Sequence, residues 1–156
     1  MKQIVGLVGL AFLQLMLGCS SVAPQWRPTA VTDFKSVAGT WQGFLTSDDP
    51  KALHFDRVTL VIDDGGACET TITRTRTTMP VHYDAILVFA EKTRLVSTDD
   101  KLSATFEKGG RMSAQLYVDP ASGERMIRAE GKNSAGFTYS ADLKRIGDYA
   151  FPKMTK

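Results

Sequence analysis

The sequence is poor in the residues that carry chemistry. It has two cysteines and two histidines in 156 residues, and 19 basic side chains stand against 17 acidic ones. That near-zero balance gives no electrostatic case for a nucleic-acid partner. There is no G-x-S-x-G, H-E-x-x-H or C-x-x-C, and no phosphate-cradling glycine loop. Hydrolase elbows, zinc-protease helices, redox pairs and nucleotide loops are therefore not expected, and neither is an enzyme or a cofactor. No stretch between Trp41 and Ile146 shows a helical stripe. A long spanning run is also missing. Ile4 to Leu17 is apolar apart from glycines and Gln14, but fourteen helical residues reach about 21 Å, short of a hydrocarbon core of roughly 30 Å.

What is there begins with an address. Lys2, the apolar run and the small residues after it have the layout of a secretory signal. Leu15-Met16-Leu17-Gly18-Cys19 resembles the lipobox of bacterial lipoproteins. The resemblance implies a signal peptide over 1–18, cleavage before Cys19, and two or three palmitate-like chains on Cys19. It also implies the outer membrane, because Ser20 is not the aspartate that retains such proteins at the inner one. Each buried methylene contributes roughly 0.8 kcal/mol, so several chains form a firm anchor to the periplasmic face or the cell surface. Without Lys2 and the rest of the signal, 138 residues remain, with 18 basic and 17 acidic side chains. Acylation of Cys19 leaves Cys68 alone, and it reads as a buried small hydrophobe. Residues 19–30 read as the lipidated cysteine and a tether stiffened by Pro24 and Pro28. Trp26 is expected either at the membrane surface or packed back on the domain.

Residues 31–147 read as one all-β domain, followed by a short tail over 148–156. The period is two over Arg57–Ile62, Cys68–Thr78, Leu102–Phe106, Met112–Val118 and Phe137–Arg145. Between these runs lie turn clusters such as Asp63-Asp64-Gly65-Gly66 and Lys108-Gly109-Gly110. Eight or nine short strands joined as hairpins suit an up-and-down antiparallel barrel, with a two-sheet sandwich as the alternative. The segment Asp33 to Trp41 resembles the opening of the lipocalin superfamily, a 3₁₀ turn followed by G-x-W, here Gly39 and Trp41. The resemblance implies a lipocalin-like barrel in which Trp41 plugs the closed end and Arg145, on the last strand, lies across its ring. Such a cation–indole contact contributes about 0.5–2 kcal/mol.

Candidate sites are few. His54-Phe55-Asp56 and His82-Tyr83-Asp84 repeat one phrase and hold zinc-type ligands, yet two strands that begin alike explain them as well, and no metal site is expected. The doublets Asp48-Asp49, Asp63-Asp64 and Asp99-Asp100 lack calcium-loop spacing and read as solvated turns. Thr70 to Thr78 holds six threonines; Thr71, Thr73, Thr75 and Thr77 form either a hydroxyl rail for a partner or an outward barrel face. Arg74 and Arg76 share the other face. If it is inward they need an acid or a ligand anion, which makes them candidates for an anionic head group. The apolar faces place Leu87, Phe89, Phe106, Phe137 and Tyr139 inside, with Ala104, Ala114 and Ala141 as small residues at the waist. Ala114 and Tyr139 are thus candidate ligand contacts. Two functions fit: a barrel binding a small apolar or amphipathic molecule, or a packed barrel acting on an envelope protein as an inhibitor or assembly factor.

Overall fold

A computed structural model of the chain describes residues 23–50, 56–78, 82–98 and 100–146, with the backbone alone at 76–78 and 82–85. The strands are β1 (Arg27–Thr29), β2 (Gly39–Phe44), β3 (Thr46–Ser47), β4 (Arg57–Ile62), β5 (Ala67–Thr78), β6 (His82–Arg94), β7 (Val96–Thr98), β8 (Lys101–Thr105), β9 (Arg111–Val118), β10 (Arg125–Lys132) and β11 (Thr138–Arg145). A 3₁₀ turn over Phe34–Ser36 separates β1 from β2, and the Asp33 carboxylate caps it by accepting from the Lys35 N–H. Every pairing is antiparallel. The strand order is β6-β5-β4-β2-β11-β10-β9-β8-β7, with β1 beside β9 and β3 beside β11.

This one sheet is nearly closed into a barrel, as the alternation of the sequence predicts, and it is not a pair of stacked sheets. Its two flanks meet at a seam between β6 and the end of β8. There the Thr93 hydroxyl donates to the Thr105 carbonyl (3.1 Å) and the Glu107 N–H donates to the Glu91 carboxylate. The Phe89 and Phe106 rings complete the seam edge to face, 5.6 Å apart. Side chains hold this junction where a backbone ladder holds the others.

Among the described residues, eight strands of five residues or more form the staves, and β1, β3 and β7 are short additions. Two elements differ from the sequence-based expectation. Arg27–Thr29, expected as tether, pairs with Val118, Tyr117 and Leu116 of β9. Pro28 is tolerated there because an edge strand can spare its missing donor. β10, absent from the alternating runs, is a full stave; Met126 and Ile127 are both buried, which blurs its period.

One end is packed shut. Trp41 is fully buried and its indole N–H donates to the Val37 carbonyl (2.7 Å). Leu60, Leu102, Leu116, Ile127 and Leu143 fill the space around it, each burial contributing on the order of 1.5–3 kcal/mol. Arg145 stands directly opposite Trp41 across β11 and β2. Its guanidinium covers Gly39, where a Cβ would lie 2.9 Å from Arg145 Nε and where φ is +129°. A side chain at 39 would therefore both strain the backbone and displace the arginine. Cys68 packs at the same end, and burial pushes its thiol up to about 11, so it stays a neutral packing group.

Candidate ligand-binding cavity

The opposite end is not filled. A cavity of about 470 Å³ opens there, between the mouth of the barrel and its apolar floor. Its depth has a simple origin in register. Ala114, Ala129 and Ala141 are direct neighbours across β9, β10 and β11, so three small side chains form one row above Leu116, Ile127 and Leu143. Ala129 and Ala141 line the cavity. Ala114 is enclosed in the core with Leu102 directly opposite it, and Leu102 takes the space it leaves.

The wall is mostly apolar, with Leu45, Val58, Ile72, Val88, Phe89 and Met112 contributing. Two polar groupings interrupt it. On the β4–β5 side, strand alternation after Thr70 and Ile72 carries Arg74 inward, where it forks onto Asp56: Nε to Oδ1 at 2.8 Å and Nη2 to Oδ2 at 2.7 Å. Asp56 is 2% exposed and Arg74 29%. The carboxylate holds the guanidinium pKa above its ordinary range, chiefly through the side-chain hydrogen bond. Arg74 is inward, as one sequence alternative required, and its charge is met by an acid of the chain itself. On the β11 side, the Tyr139 hydroxyl donates to Asp49 (3.2 Å) and accepts from Asn133 Nδ2 (2.9 Å). Burial, then Asp49, raise the phenol pKa, so Tyr139 remains a neutral hydrogen-bonding group at the mouth.

Arg76 lies two positions beyond Arg74, opposite Asp84 in the ladder; its side chain lies outside the described residues, as do those of His82, Tyr83 and Asp84, and the whole of His54 and Phe55. Among the described residues no cluster of three or more His, Cys, Asp or Glu is placed to hold a metal ion. The acidic turns bond to the chain itself: Asp48 accepts from the N–H and hydroxyl of the distant Thr138, and Asp63 accepts locally from the Gly65 and Ala67 N–H groups.

Leu87, expected inside, is outside. The ladder of β5 with β6 shifts between Ile72 and Thr73, so Ile72 faces Phe89 while Thr73 faces Leu87, and Val88 is the extra residue of a bulge. Phe89, opposite the inward Ile72, lines the cavity and the bulged Val88 borders its mouth, 49% exposed, while Leu87, opposite Thr73, falls on the outer face. Phe137, also expected in the lining, sits in the turn before β11, where its N–H donates to Asn133 Oδ1 (3.0 Å).

Sequence reasoning read Asp49 only as part of a solvated turn and did not single out Asn133, Ala129 or Lys108. Asn133 lies in a turn cluster, Ala129 lies in the blurred β10, and Lys108 read as turn punctuation. Lys108 belongs to a closed turn: Phe106 and Gly110 bond N–H to carbonyl (2.9 Å), and Gly109 takes φ +85°. That turn sets Lys108 Nζ 5.8 Å above the Phe89 ring at the cavity edge. In comparison with known proteins, no family model, curated protein or solved structure matches the chain.

Proposed function

We propose that this chain is a non-enzymatic lipoprotein, anchored to the outer membrane through Cys19, whose barrel binds a small apolar or amphipathic molecule. The observation that carries the reading is the cavity of about 470 Å³ with an apolar floor and a few polar groups at its rim. That size and composition suit ligands held mainly by burial of apolar surface and oriented by a small number of hydrogen bonds. The lipobox-like run ending at Cys19 supports the anchor. Incorporation of labelled palmitate, lost in Cys19→Ser, is the expected result for it.

The cavity is tested with N-phenyl-1-naphthylamine, a neutral probe that brightens in apolar surroundings. Residues 20–156 should enhance its fluorescence, and Ala129→Phe, which fills the cavity, should abolish the enhancement. Equal enhancement by the variant contradicts the reading. Ala114→Phe is the contrast, since its site is already full and overpacking should cost about 1–3 kcal/mol in denaturant unfolding.

A second reading is favoured by one feature of the outer face. Phe44, Arg57, Thr73 and Leu87 form a continuous cross-strand row over β2, β4, β5 and β6. Phe44 and Leu87 are 59% and 51% exposed, and the Arg57 guanidinium lies 5.6 Å from the Phe44 ring centroid. Exposed aromatic, arginine and leucine side chains in one row suit contact with another envelope protein.

A further inference from the structure

The charges around the cavity decide which head group it favours, if the ligand-binding reading on which this inference rests is right. Asp56 and Arg74 form a matched fork and contribute no net charge to the wall. Asp49 accepts the Tyr139 hydroxyl on the β11 side. Arg111, Glu130 and Lys132 border the mouth, but they alternate with the inward Met112, Ala129 and Gly131 and so belong to the outer faces of β9 and β10. Lys108 is different. Its amine lies over the face of Phe89, whose ring is part of the cavity wall, and Phe106 holds that ring edge to face.

The acids nearest Lys108 along the chain and across the seam are Glu107 and Glu91. Glu91 accepts the Glu107 N–H through one oxygen. The ion pairs among the described residues are Arg74–Asp56, Lys92–Glu69 and Arg128–Asp142, and Lys108 is in none of them. We infer that Lys108 is the head-group cation of the cavity, and that the favoured ligand is an amphiphile with an anionic group at the seam side of the mouth and an apolar tail over the alanine row. The head-group role considered for Arg74 passes to Lys108, because Asp56 already occupies the arginine's fork. The ring beneath the exposed amine favours a position at the cavity edge in which the charge stays in contact with water.

Dodecanoate, dodecanol and dodecylamine share a tail and differ in head charge, so they separate this inference from the reading beneath it. They are titrated at pH 7.5 against N-phenyl-1-naphthylamine bound to residues 20–156, which contain every strand of the barrel. Lys108→Gln should weaken dodecanoate by about fivefold, the scale of one partly exposed ion pair, and leave dodecanol unchanged. Lys108→Glu should reverse the order of acid and amine. Lys132→Gln, on the outer face of the same rim, should change neither. If all three compounds bind but the Lys108 variants leave dodecanoate unaffected, or Lys132→Gln weakens it equally, the inference is overturned and the cavity stands. If neither the probe nor any of the three binds, the ligand-binding reading itself fails and this inference with it.

Discussion

Asp56 is the most constrained side chain of the open half. It is almost fully enclosed between Leu45, whose N–H donates to its carbonyl (2.8 Å), and the Arg74 fork. Removing one partner of such a pair leaves an uncompensated charge, whereas the pair itself contributes little net stability. Arg74→Met should therefore lower the unfolding free energy by about 3–5 kcal/mol, measured by urea denaturation, and the double change Arg74→Met with Asp56→Leu should recover most of the loss. A single-site loss below about 1 kcal/mol would show that water reaches the carboxylate. Gly43 is constrained by space alone. β2 passes so close to β11 that a Cβ there would run into the Asp142 carbonyl.

At the scale of elements, turns are fastened by carboxylates. Asp48 joins β3 to β11 by accepting from both the N–H and the hydroxyl of Thr138. Asp119 accepts from Ser122 and Ala121 in the turn between β9 and β10, and Asp142 accepts the Arg128 fork on the outer face. Hydrogen bonds from Thr138, from Ser122 and from Arg128 respectively hold these three carboxyls below the ordinary 3.8. The folded chain thus binds fewer protons than the unfolded one as pH falls through that region. The stability these groups contribute is complete above 3.8 and is lost as pH falls below it through their folded pKa values. The Tm should be nearly level from pH 7 to 5 and fall steeply below pH 4. Asp48→Asn should flatten that fall, and an unchanged profile would remove Asp48 from the account. The strands themselves were legible to different degrees. β4, β5, β8, β9 and β11 alternate cleanly, and so their faces follow from the sequence. β6 does not, because Ala85 to Ala90 is uniformly apolar and carries no phase; only the bulge decides that Leu87 faces out. The Asp56–Arg74 pair was half visible, since an inward arginine requires an anion, but the partner depends on the β4–β5 register.

For the whole molecule, the asymmetry between the two ends is the central feature. Large side chains crowd the Trp41 end, and a row of alanines at the waist leaves the other end open. The pairing of Trp41 with Arg145 joins the first long strand to the last over the packed floor, while the barrel closes separately at the side-chain seam between β6 and β8. Whether the open half holds a molecule is the claim on which the functional account turns, and native mass spectrometry tests it most directly. Residues 20–156 would be secreted into a bacterial periplasm, purified without detergent and sprayed intact. The account predicts a reproducible added mass of a few hundred daltons that leaves on denaturation and is absent from Ala129→Phe. A bare mass for the wild-type domain, persisting after incubation with the dodecyl compounds, would contradict it and turn attention to the Phe44–Leu87 face.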